Sequence, residues 1–172
     1  MSVGRRDGAP WLRWWHALPF WLLVNAYSLF FREGGGEILF EGFRPAPWAP
    51  PSIAFPIVWF SLNVLQIWVL WRLLKADPDW PRRAPLLAIQ AVCWAIYATF
   101  ALVYFTLTSP ILGAVWTLSF AVLTLASIAL ALPDDRRTAL LLAPHAAWTL
   151  FASTAAVWQA VVNPDPLLGY MP

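Results

Sequence analysis

The chain has 172 residues, 60% apolar and 12% charged, with a net charge of +2. Soluble domains run nearer about 45 to 50% apolar and about 25% charged, so a soluble globular fold is excluded and an integral membrane protein is implied. A single Cys, Cys93, and two His, His16 and His145, exclude an internal disulfide and leave no cluster with metal-ligand spacing, while the scattered Arg and lone Lys give no footprint for nucleic acid.

A helix crossing about 30 Å of hydrocarbon needs about 20 apolar residues. Stretches free of Asp, Glu, Lys and Arg that meet this need run approximately over residues 14–31, 53–71, 84–106, 110–132 and 139–162. Arg5 and Arg6 ahead of an apolar run could be read as a secretory signal, but the bulky Trp14, Trp15 and Trp21 and the continuation to Phe31 favour a retained first helix. Arg32-Glu33-Gly34-Gly35-Gly36 ends it and opens the longest loop, which runs to Pro51. The later breaks, Lys75-Ala76-Asp77-Pro78-Asp79, Thr108-Ser109-Pro110 and Pro133-Asp134-Asp135-Arg136-Arg137, are short and rich in turn-formers. The spans are apolar on every face and lack a period of two, so barrel strands fail and helices remain. Short loops force antiparallel neighbours. The expected fold is all-α: one domain over residues 1–172, a five-transmembrane-helix up-and-down bundle.

Sorting positive charges by side gives Arg5, Arg6, Arg13, Arg72, Lys75, Arg82, Arg83, Arg136 and Arg137 on one face of the membrane against Arg32 and Arg44 on the other. This places the amino terminus in the cytoplasm and the long first loop outside it. The preference for Arg over Lys hints at a bacterial source, hence a bacterial inner membrane.

Within the spans the only ionisable group well inside is His145, beside the neutral Asn25, Asn63, Gln66, Gln90 and Gln159. A voltage sensor, an acid-driven antiporter and a Ser/His/Asp hydrolase are disfavoured, since no carboxylate is buried, and no catalytic residue is assigned. His145 next to Pro144 could ligate a haem iron, although a lone His at a helix kink is more often bonded to backbone. Trp is the abundant residue, thirteen in all. Trp11, Trp14, Trp15, Trp71 and Trp80 sit at span ends as interfacial anchors. Trp59, Asn63 and Gln66, at i, i+4 and i+7, present an indole above two amides on one helix face, and Trp148, Ala152 and Ala156 present a flat aromatic beside two small residues. Such faces suit a planar ligand; ordinary interhelical packing competes with that reading. Ala91, Ala95 and Thr99 form another small-residue stripe, open to bundle packing or a homodimer.

The segment Arg44-Pro45-Ala46-Pro47-Trp48-Ala49-Pro50-Pro51, with Trp59 eleven residues beyond Trp48, resembles the P-x-W-x-P-P element of the TspO/MBR family, the tryptophan-rich sensory proteins and mitochondrial translocator proteins. Leu141-Leu142-Ala143-Pro144-His145-Ala146-Ala147-Trp148-Thr149-Leu150-Phe151-Ala152 is similar to that family's L-L-x-P-Y-x-x-W-x-x-F-A, and Asn163 fits its terminal Asn. The resemblance covers about residues 14 to 163. It implies a five-helix bundle, commonly a homodimer, with a pocket for porphyrin, haem or sterol-like ligands and no required cofactor or metal. By the same resemblance Trp59 and Trp148 line the pocket and Ala152 is the small residue beside it; on the helix face shared with Trp59, Asn63 and Gln66 are expected to orient the ligand's polar groups. Phe40 and Trp48 belong to the Gly34 to Pro51 loop that closes over the ligand. Asn63 stands where the family has Tyr, His145 replaces another Tyr, and Ala155-Ala156 replace Leu-Asn. The implied roles are sensing, scavenging or transport of a tetrapyrrole or other hydrophobic molecule, with light-dependent porphyrin degradation as an enzymatic possibility. The competing reading is a membrane scaffold or permease without a tetrapyrrole ligand.

Overall fold

The computed structural model describes residues 7–32 and 43–172, and for Leu29, Phe31 and Arg32 the backbone alone. After a single 3-10 turn at Trp14–His16, the helices are α1 (Ala17–Arg32), α2 (Ala54–Lys75), α3 (Arg83–Ala101), α4 (Pro110–Ala131) and α5 (Arg136–Val162). A π-helical turn, Leu102–Thr106, continues α3. Four helical segments, α2, α3 with its π turn, α4 and α5, are long and apolar enough to cross a membrane, and α1 is a shorter amino-terminal helix.

Three of the helix ends have a clear local cause. Ser109 caps α4 by accepting a hydrogen bond from the Leu112 N–H, and Pro110 occupies the first turn, where its missing N–H costs nothing. Asp135 caps α5 by accepting from the Thr138 N–H, so this helix begins at Arg136 and not at residue 139 as apolarity alone suggests. α2 likewise runs past Trp71 to Lys75, because Arg72 and Lys75 in its last turn complement the exposed carbonyls of a helix carboxyl end.

Side-chain packing closes the helices into a ring in the order α1, α2, α5, α4, α3, with α4 and α5 the most extensive pair. At the end carrying Arg72 and Lys75 the ring is filled by Val69, Leu73, Leu86, Ala131, Ala139 and Leu142, a dry core of close-packed side chains. A charged layer seals that end. Arg72 donates to both carboxylate oxygens of Asp135 at 2.8 Å, Lys75 pairs with Asp7 at 2.9 Å, and Arg82 pairs with Asp134 at 3.0 Å.

Candidate ligand-binding site

Toward the opposite end the ring does not fill. α5 contributes Ala152, Ala155, Ala156 and Gln159 to this level, and the short alanine side chains leave a cavity of about 200 Å³. Its walls are aromatic: Trp59 and Phe60 from α2, Tyr97 and Phe100 from α3, Tyr104 and Phe105 from the π turn, Trp116 and Phe120 from α4. Trp59 stacks on Phe120 with ring centroids 5.7 Å apart and tilts against Tyr97 at 5.5 Å. Such offset pairs add about 0.5 to 1.5 kcal/mol each to the burial of the rings.

Gly113 of α4 is required by the close approach of Tyr104, since a Cβ there would lie 2.6 Å from the ring. That approach lets the Tyr104 hydroxyl reach across the cavity and donate to Gln159 Oε1 at 2.9 Å. On the other flank the Tyr97 hydroxyl donates to Asn25 Oδ1 at 2.7 Å, tying α3 to α1. The Trp116 indole donates to Thr99, and the Thr117 hydroxyl to the Gly113 carbonyl. These four donors of the wall are thus occupied within the protein.

The described part of the first loop roofs the cavity through Ala49 and Ser52. It is clamped to the carboxyl end of α5: Asn163 Oδ1 accepts from the Arg44 N–H at 2.6 Å while its amide nitrogen donates to the Arg44 carbonyl at 3.0 Å. Behind the clamp Asp165 accepts from the Ser109 hydroxyl and the Ile111 N–H, joining the carboxyl-terminal segment to the start of α4.

Of the residues singled out in the sequence, Trp59 and Ala152 line this cavity together. Trp148 does not. Its ring packs edge-on to Phe55 at 5.8 Å, and Phe55 is the side chain that lines the cavity. Trp48 lies outside, donating from its indole to Thr154 and packing edge-on to Trp158, so it staples the loop to α5. Asn63 and Gln66 share the face of Trp59 but are fully buried one and two turns deeper. Phe40 falls outside the described residues. Phe100, Tyr104, Phe120 and Gly113 also belong to the site but carry no local sequence signature among so many apolar neighbours. Asn25 and Gln159 do carry one, as polar side chains held in apolar helices.

The sequence profile of the TspO/MBR family matches residues 17–160. The chain is also similar to Translocator protein 2 of Mus musculus, with 28% identity over 122 residues that cover 69% of this chain and 74% of the mouse protein. With its apolar spans arranged around an aromatic cavity, the chain belongs to the TspO/MBR family of integral membrane proteins.

Proposed function

We propose that the protein binds a planar hydrophobic ligand, a tetrapyrrole or a sterol-like molecule, in the aromatic cavity, and that it senses, scavenges or transports that molecule. The observation that carries this reading is the meeting of Trp59 from α2 with the alanine hollow of α5 at one shared cavity. Apolar walls with few free polar groups are the usual make-up of a small-molecule site. At about 200 Å³ the cavity is below the roughly 300 to 1,000 Å³ of sites for drug-sized ligands, so a large ring enters by displacing aromatic side chains.

In this reading α1 completes a five-span bundle. Its 16 residues rise about 24 Å, and the Trp14–His16 turn with exposed Trp14 and Trp15 carries it into the interfacial layer. The excess of Arg and Lys at the end bearing Arg72 faces the cytoplasm of a bacterial inner membrane, with the amino terminus on that side. A homodimer forms through the outward-facing Ala91 and Ala95 of α3, where small residues permit close helix approach.

The test is a titration of the detergent-solubilised protein with protoporphyrin IX, following Trp fluorescence. Saturable quenching is expected, and Ala152→Phe, which fills the hollow, should weaken it by about tenfold or more, close to 1.4 kcal/mol. Quenching that rises linearly without saturation, or that is unchanged in a folded Ala152→Phe protein, overturns the proposal.

A further inference from the structure

Beneath the aromatic cavity lies a layer of buried neutral polar side chains. Asn63, Gln66, Gln90, Ser127 and His145 are each at most 1% exposed. Gln66 donates to Gln90 at 3.3 Å and Gln90 donates to Ser127 at 3.2 Å, which accounts for Gln90. Among the described residues, both amide atoms of Asn63, Gln66 Oε1 and His145 Nε2 make no hydrogen bond; the Tyr97 hydroxyl neighbours Asn63 but donates to Asn25. Buried polar atoms are nearly always paired with protein or ordered water, so four gathered on two facing helices, α2 and α5, mark a place that binds water or a guest's polar group.

Two aromatic rings lie between the cavity and His145 of this layer. Trp59 and Phe120 line the cavity on one side, and on the other they pack against the His145 ring at 5.7 and 4.7 Å. Asn63 lies one helical turn below Trp59 on the same face. Displacing Trp59 or Phe120 to admit a large ligand would therefore uncover His145. A ligand's polar group would find the donors of Tyr97, Tyr104, Thr117 and Trp116 already bonded, with the Trp59 indole, Ser52 and Gln159 among the remaining polar groups of the lining, whereas the layer below gathers donors and acceptors at one place.

Building on the cavity reading, we infer that Asn63, Gln66 and His145 form a polar subsite under the Trp59–Phe120 pair, so that the ligand is a planar apolar body carrying one uncharged hydrogen-bonding group at its inner end, a hydroxyl, a carbonyl or an un-ionised carboxyl. The group is uncharged because the nearest described cation along α2, Arg72, is held by Asp135 and Thr138, leaving an anion no countercharge for its lost hydration.

The experiment compares fluorene with 9-fluorenol, two rigid probes of nearly equal shape, by titration of the full chain in detergent, with partition into empty micelles subtracted. Wild-type protein is expected to favour the alcohol by about tenfold, the value of one buried hydrogen bond made or lost. The preference should fall to near unity in Asn63→Leu and in His145→Phe, either of which suffices if the other does not fold. Equal affinity for the two probes in the wild type, or a preference that survives in both variants, overturns the subsite and leaves the cavity reading standing. A higher melting temperature in the variants without a change in preference identifies the layer as packing alone and also overturns it. Saturable binding of neither probe defeats the cavity reading and the subsite with it.

Discussion

Gly113 is where a single carbon atom decides the shape of the cavity. Its missing Cβ leaves room for the Tyr104 ring, whose hydroxyl then bonds Gln159 on α5. Gly113→Ala forces the ring aside in a packed region, and overpacking of this kind costs about 1 to 3 kcal/mol. Thermal unfolding followed by circular dichroism should show a lowered midpoint, whereas Ala152→Phe, which points into open space, should keep its midpoint and lose ligand. The same scale shows what spacing conveys. The i, i+4, i+7 pattern put Trp59, Asn63 and Gln66 on one face, and they do share one, but it does not say at which depth the cavity stops, and the two amides lie below its floor. Trp148 and Ala152 are likewise neighbours on α5, yet the cavity boundary passes between them because Phe55 of α2 occupies the intervening space. That boundary is a property of how two helices meet, which neither sequence segment contains.

Helix ends follow local chemistry that a count of apolar residues overlooks. The start of α5 is held by Asp135, which accepts from the Thr138 N–H and hydroxyl and from Arg72 of α2, so one carboxylate both caps a helix and fastens two elements. Burial alone would raise its pKa, but the hydrogen bonds from Thr138 and Arg72 overcome this and hold it below the usual carboxylate range. Asp165 is held low in the same way: burial opposes, and the Ser109 hydroxyl with the Leu168 and Ile111 N–H groups prevails. A carboxyl whose folded pKa is depressed stabilises the fold fully above its unfolded value, about 4, and loses that contribution as pH falls through the folded value. Unfolding midpoints should therefore drop below about pH 4. Asp135→Ala should cost about 1 to 2 kcal/mol at pH 7, the worth of an N-cap, and its deficit against the wild type should shrink as the pH is lowered into that window. Ser109-Pro110 was legible as a break because cap and proline are adjacent in the sequence; the partnership of Asp135 with Arg72, 63 residues away, was not.

At the scale of the molecule, the order of helices around the ring puts α5 beside α2, although two spans separate them in the chain. Short loops predicted antiparallel neighbours and the apolar spans predicted a bundle; the ring order depends on which faces fit, and sequence periodicity leaves that open. The ring leaves Ala91 and Ala95 facing outward, so if the proposed homodimer forms there, Ala95→Leu should shift it toward monomer in crosslinking at fixed detergent concentration. The axis of the ring also has a polarity of charge. Arg72, Lys75, Arg82 and Arg83 cluster at one end, where each bonds an acidic side chain or a backbone carbonyl of that end. Translocating this layer would mean moving several cations across hydrocarbon, at a few kcal/mol each on insertion scales, and the proposed orientation of the bundle rests on that cost. The native thiol, Cys93, is buried and leaves the background of a labelling experiment low. With a membrane-impermeant maleimide on intact spheroplasts, Met171→Cys, at the exposed carboxyl terminus, should label, and Pro78→Cys, in the exposed α2–α3 loop, should label only after the membrane is opened. The reverse pattern would mean that the basic end faces outward and that the charge asymmetry does not set the topology of this protein.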